Sequence, residues 1–182
     1  MDGNPMSRVM RMSFPRALML AAGVLLACSA DAQKANPFAL FAGTWNGNGL
    51  IDVASGSSEK IRCRGPFNLV DIGNLQGIKM ELKCAGDSYR FELQSEVRMD
   101  NGVVTGVWTE LSRGLSGKVT GKIENEQLSA VVESDTFTAT LLLVSKGEQQ
   151  QITIASPGSE LKLVRIGLLR SGARAPAQAN SQ

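Results

Sequence analysis

The chain has 182 residues, enough for one ordinary domain, and carries 19 Lys and Arg against 17 Asp and Glu. A net charge of +2 gives no general attraction to nucleic acid or to an anionic membrane surface. The sequence contains no histidine, which excludes Ser-His-Asp and Cys-His catalysis and any zinc or haem held through histidine.

The N-terminal segment has the three parts of an export signal. Three arginines precede an uninterrupted apolar run over residues 17–27, and a small-x-small sequence, Ala-Asp-Ala, ends at Ala32. The apolar run is shorter than the roughly 20 residues of a membrane-spanning helix. We therefore predict a signal peptide over residues 1–32 and a periplasmic location for the remainder.

A second way of processing this segment stays open. Residues 25–28, Leu-Leu-Ala-Cys, resemble a lipobox, in which Cys28 would become a lipidated N-terminus. An acylated chain would be tethered as an outer-membrane lipoprotein, since two or more acyl chains anchor stably. We expect contact with a membrane only in that case.

After the signal segment, Cys63 and Cys84 are the two remaining cysteines. Each lies on the apolar parity of an alternating segment, so both are expected to point toward the core. Gly73-Asn74 between them suits a two-residue hairpin loop, and such a loop places Cys63 directly opposite Cys84 at a closely spaced pair. An oxidising compartment then favours a disulfide.

Beyond residue 40, strand patterns recur about every ten residues, separated by turn residues, and no persuasive helical period is present. The clearest strand alternates Tyr89, Phe91 and Leu93 with charged neighbours. The predicted strands are 43–53, 59–69, 76–84, 88–99, 103–111, 115–124, 127–133, 136–144, 149–155 and 160–169.

Short connections between these strands imply an all-β antiparallel meander. In an open sheet the edge strands would expose unpaired backbone N–H and C=O groups. Closure of the eight to ten strands into a barrel removes these edges, and a two-sheet sandwich is the alternative. We expect residues 33–40 to form an N-terminal leader, 41–170 the barrel domain, and 171–182 a disordered tail.

Gly43-Thr44-Trp45 opens the first strand, and a Gly-x-Trp before a meander resembles the lipocalins and the wider calycin superfamily. The resemblance implies a calycin-like barrel whose Trp closes one end and whose last strand carries an Arg packed across that Trp. Counting parity from Leu161 makes Arg165 the inward candidate, with Arg170 as the alternative. We therefore expect Gly43, Trp45 and Arg165 to pack together at the barrel end, where the indole face would partner the buried guanidinium.

The chain also resembles small exported bacterial protease-inhibitor barrels, which share the signal sequence, the early Gly-x-Trp and one disulfide. That resemblance implies an N-terminal segment inserted into a protease cleft, the part that residues 33–40 would play.

Glycines and aromatic residues on inward parities would line a cavity if the barrel is hollow. The candidates are Gly47, Gly49, Tyr89, Phe91, Gly106, Trp108 and Phe137. We expect a binding protein for a small apolar ligand, with an envelope-protein-binding or inhibitor-like barrel as the alternative. The carboxylates show no paired or metal-binding spacing, so we expect no enzyme, no metal and no cofactor. The balanced charge leads us to expect no nucleic-acid partner.

Overall fold

The computed structural model describes residues 35–172 and contains ten strands. Their bounds are β1 Gly43–Val53, β2 Ser58–Ile72, β3 Leu75–Ala85, β4 Arg90–Asp100, β5 Val103–Glu110, β6 Leu115–Glu124, β7 Gln127–Glu133, β8 Thr138–Lys146, β9 Gln149–Ala155 and β10 Leu161–Arg170. Each strand predicted from the sequence is present, with its ends shifted by at most a few residues.

The ten strands form one closed antiparallel barrel. Each pairs with its neighbour in the chain, and β1 pairs with β10, so no strand edge is left open. The predicted all-β meander closed into a barrel is therefore confirmed, at the upper end of the expected strand count. In β4 the alternation works as predicted, because Phe91 and Val97 point into the barrel while Arg90 and Arg98 are exposed.

The β2–β3 hairpin has the register that its loop predicts. Gly73 adopts a positive φ of 65°, and Ile72 pairs with Leu75 across the two-residue loop. The same register sets Cys63 opposite Cys84, with the Cα atoms 4.1 Å apart and the sulfurs joined at 2.07 Å. The expected cysteine pair thus lies on the inner face of the barrel.

One end of the barrel is closed by the segment that leads into β1. Phe38 and Phe41 in this segment are fully buried beside Trp45. The carbonyl of Phe41 accepts hydrogen bonds from Trp45 Nε1 at 3.0 Å and from Gln150 Nε2 at 2.9 Å. The last described residues meet the same end, because the Ser171 amide donates to the Thr44 carbonyl.

The prediction that Arg165 packs across Trp45 is wrong. β1 pairs Asp52 with Leu163 but Val53 with Leu161, so β10 holds one extra residue at this point. Such a bulge reverses the parity beyond it, and Arg165 therefore points outward. Its guanidinium binds Asp52 at 2.8 Å, with 54% of the Arg165 side chain exposed.

Arg170 occupies the position expected for that arginine. Its guanidinium carbon lies 4.5 Å from the centre of the Trp45 ring, and its Nη1 donates to the Ala42 carbonyl. Gly43 makes this packing possible, since a Cβ there would collide with the Arg170 guanidinium. The closed end is therefore built from Gly43, Trp45 and Arg170, as the resemblance implied, with the alternative arginine.

The predicted signal peptide over residues 1–32, Cys28 and residues 173–182 of the predicted tail lie outside the described residues. In residues 35–172, no helix has the length and apolarity needed to cross a membrane.

Candidate ligand cavity

The barrel is hollow toward the end opposite Trp45. A cavity of about 310 Å³ lies there, and its surface is almost wholly apolar. Its apolar lining residues are Phe67, Met80, Leu82, Phe91, Leu93, Trp108, Leu115, Val119, Val132, Phe137, Ala139, Leu141, Leu143, Ile152, Ile154, Leu161 and Val164. This volume is at the lower end of the roughly 300–1,000 Å³ of small-molecule pockets, so the space suits a small ligand.

Two aromatic rings form one wall of the cavity. The ring centres of Trp108 and Phe137 are 5.7 Å apart and the ring planes are tilted by 50°, within the roughly 4.5–7 Å separation of favourable aromatic pairs. Trp108 Nε1 donates to the Glu133 carbonyl at 3.1 Å, so its polar atom is satisfied by the backbone. The indole face is therefore held in place and presents only apolar atoms to the cavity.

The mouth of the cavity is polar. Three charged residues lie around it: Glu110 at the end of β5, Arg113 on the loop that joins β5 to β6, and Glu160 on the loop that joins β9 to β10. The hydroxyl of Tyr89 donates to Glu160 at 3.2 Å across the rim. Burial of the Tyr89 phenol, followed by this hydrogen bond, raises the pKa of Tyr89 above its usual value.

Glu110 is a structural carboxylate at this rim. Its side chain is buried and accepts hydrogen bonds from the amides of Glu92, Ser112 and Arg113. Burial alone raises the pKa of Glu110, but the hydrogen bonds outweigh it, so the pKa lies below its usual value. The carboxylate is thus engaged in shaping the β5–β6 loop.

Glu59 acts in a similar way on the β3–β4 loop. Its carboxylate accepts the amides of Ser88 at 2.8 Å and Tyr89 at 3.1 Å. The hydrogen bond from Ser88 is the largest cause of a lowered pKa at Glu59. Two anionic side chains therefore fix loops at the mouth.

The structure divides the four aromatic residues predicted to line the cavity into two groups. Phe91, Trp108 and Phe137 line the cavity. Tyr89 lies at the rim, where it packs against the core and donates a hydrogen bond to Glu160, and it does not line the cavity.

The inward glycines do not create the cavity, which corrects the prediction for Gly47, Gly49 and Gly106. A Cβ on any of these three would collide with the backbone of the adjacent strand. Their role is close approach of neighbouring strands at strong bends. The space comes instead from the other end of the barrel, where side chains from opposite walls do not meet.

Sequence reasoning missed the larger part of the lining. Leu141 and Leu143 on β8 and Ile152 and Ile154 on β9 supply apolar walls. Their i, i+2 spacing was a visible signal of inward orientation. Alternation alone does not show whether such residues fill a barrel or leave it open, so this distinction required the structure.

The cavity is suited to holding an apolar molecule rather than an ion. Within residues 35–172, no three side chains of Cys, Asp or Glu are grouped so that they could hold a metal ion.

Comparison with known proteins identifies a solved structure with a similar fold. No protein-family model and no curated protein sequence matches the chain. Among solved structures, the S-type phycobiliprotein lyase CPES from Guillardia theta is similar, with a TM-score of 0.53 and 10% sequence identity, over 75% of this chain and 92% of that chain. At this identity the likeness concerns the fold alone.

The same comparison corrects the expectation that the protein is not an enzyme. A protein with this fold is named a lyase, so the lack of histidine and of paired carboxylates does not place the chain among non-enzymes. We withdraw that expectation.

Proposed function

We propose that this protein is an exported, calycin-like barrel that binds a small apolar ligand in the cavity lined by Trp108 and Phe137. The observation that carries the proposal is the cavity itself, an almost wholly apolar space of about 310 Å³ with charged groups only at its mouth. Burying apolar surface contributes about 25 cal/mol per Å², so such a space favours an apolar occupant over water.

The cavity can be tested with a neutral fluorescent probe, N-phenyl-1-naphthylamine. Ala139 is buried and lines the cavity, so Ala139→Phe would place a ring in the space. Ala155 lies in β9 on the outward parity, and Ala155→Phe adds the same ring without entering the cavity. Circular dichroism of both variants would establish that each is folded.

We expect the probe to gain fluorescence with the wild-type protein and with Ala155→Phe, and to lose most of that gain with Ala139→Phe. Quenching of Trp108 emission should follow the same order, because this indole forms a wall of the cavity. Equal probe binding by all three proteins, or by none, would contradict a ligand site inside the barrel.

Export is supported by two independent features. The N-terminal arginines, apolar run and Ala-Asp-Ala site form a signal sequence. The cysteines at 63 and 84 lie at bond distance, and a structural disulfide persists in an oxidising compartment. The intact mass of protein from the cell envelope should correspond to a chain beginning at Gln33. A diacylated chain beginning at Cys28 would instead establish the lipoprotein alternative, and an unprocessed chain would contradict export.

The inhibitor-like alternative receives less support. Its inhibitory element would be residues 33–40, yet Phe38 is fully buried at the closed end of the barrel. A side chain held in this way is not free to enter the cleft of a protease.

A further inference from the structure

The outer surface of β9, β10, β1, β2 and β3 carries a groove, on the other side of the barrel wall from the ligand cavity. It consists of two adjoining depressions of about 900 and 520 Å³ that share Asn48, Arg62 and Ala85 as lining residues. Gly167 forms part of the floor, and no atom lies within 4 Å of the position its Cβ would take. We call this surface the outer groove.

The outer groove is cationic although the chain as a whole is close to neutral. Five cations line it, against the single carboxylate of Asp87; the cations are Lys60, Arg62, Arg64, Lys83 and Arg165. Asp52 pairs with Arg165 at 2.8 Å, and Glu92 pairs with Lys83 at 2.7 Å. The three cations on β2 have no ion-pair partner among residues 35–172.

This clustering opposes stability. Arg64 on β2 pairs directly with Lys83 on β3, and like charges in opposite positions destabilise a sheet. Charges that alternate with apolar residues along the chain are thus gathered by the barrel on one outer face. Lys83 is compensated by Glu92, but the three cations on β2 are not, and this excess of positive charge favours an anionic partner.

The spacing of the row indicates the form of that partner. Arg62 and Arg64 lie two residues apart on one strand, so their side chains repeat at roughly 6–7 Å. Asn48 faces Arg62 and Asn46 faces Arg64 on the adjacent strand. Each arginine is therefore accompanied by an amide, and the pair repeats with the period of an extended polypeptide.

We propose that the outer groove binds an extended acidic peptide segment of a partner protein, with carboxylates at alternate positions. Guanidinium groups bind carboxylates in bidentate fashion, and the Asn amides can bond both the N–H and C=O groups of a peptide. No aromatic residue lines the groove, so it lacks the stacking surfaces of single-strand nucleic-acid sites. A flat membrane surface would not enter a groove.

The experiment is a fluorescence-anisotropy titration with a labelled peptide of alternating Glu and Thr. The groove variant is Arg62→Gln with Arg64→Gln. The matched control is Arg90→Gln with Arg98→Gln, which removes two exposed arginines on β4, neither of which lines the groove. Circular dichroism would verify that both variants are folded.

We expect the wild-type protein to bind this peptide, with an affinity that falls as salt is raised. The groove variant should bind about tenfold more weakly or worse, and the control within about twofold of wild type. An equal loss of affinity in both variants would mean that peptide binding depends only on the net charge of the protein, and it would overturn the proposal. Absent binding would overturn it too, as would tighter binding of a single-stranded oligonucleotide or of phosphatidylglycerol vesicles.

Discussion

Replacing Arg170 by Met tests the closed end of the barrel most directly. The change removes a cation held 4.5 Å from the centre of the Trp45 ring, an interaction of about 0.5–2 kcal/mol. It also removes the hydrogen bond to the Ala42 carbonyl, which for a charged donor contributes about 1.5–3 kcal/mol. The pair with the exposed carboxylate of Glu148 adds little.

We therefore expect Arg170→Met to lower the free energy of unfolding by about 2–4 kcal/mol, since these effects do not add fully. Arg165→Met is the matched control. Its side chain is 54% exposed, and the pair it makes with Asp52 is worth about 0–1 kcal/mol. The two substitutions are chemically identical and lie on the same strand.

The measurement is urea unfolding followed by tryptophan fluorescence, supported by thermal melting. A loss of 2–4 kcal/mol should lower Tm by roughly 5–15 °C for a domain of this size, whereas the control should move it by only a few degrees. If Arg165→Met proves as destabilising as Arg170→Met, the assignment of Arg170 as the arginine that packs on Trp45 is refuted.

Two further predictions concern the hairpin and the mouth. The bond between Cys63 and Cys84 spans a sequence separation of 21, so Cys63→Ala with Cys84→Ala should lower the free energy of unfolding by about 3 kcal/mol. Coinciding urea midpoints for the oxidised protein and this variant would contradict that. Because the pKa of Glu110 is lowered on folding from 4.5, its stabilisation is present above that pH and is lost as the pH falls through the lower, folded value. Glu110→Gln should therefore lower the free energy of unfolding by about 1–3 kcal/mol near neutral pH and flatten its decline as the pH falls below 4.5. An unchanged acid profile would argue against this role.

Most of the fold could be predicted from the sequence because the patterns that define strands and turns lie within short segments of the chain. Alternating parity marks each strand, and the Gly73-Asn74 loop fixes the β2–β3 register so firmly that the cysteine pair follows by counting. Short connections then leave few topologies for ten antiparallel strands.

The errors arose where a local pattern has two structural meanings. Apolar residues occur on both parities of β10, so the sequence alone does not reveal the bulge between Leu161 and Leu163. Without the bulge, counting from Leu161 puts Arg165 inside the barrel. Glycines such as Gly106 are found where a barrel is hollow and also where the backbone of a neighbouring strand leaves no room for a Cβ. The second case applies here. The cavity depends on side chains from distant strands failing to meet, a property that no single segment carries.

The described segment, residues 35–172, begins and ends on the same side of the barrel, which has a practical consequence. The segment leading into β1 and Ser171 meet beside Trp45, while the mouth lies among the loops at the opposite end. A fusion partner joined directly before Ala35 or directly after Gly172 would therefore start at the end of the barrel away from the mouth. A barrel immobilised through a linker at either of these two positions would present its mouth to the solution, accessible to a soluble ligand.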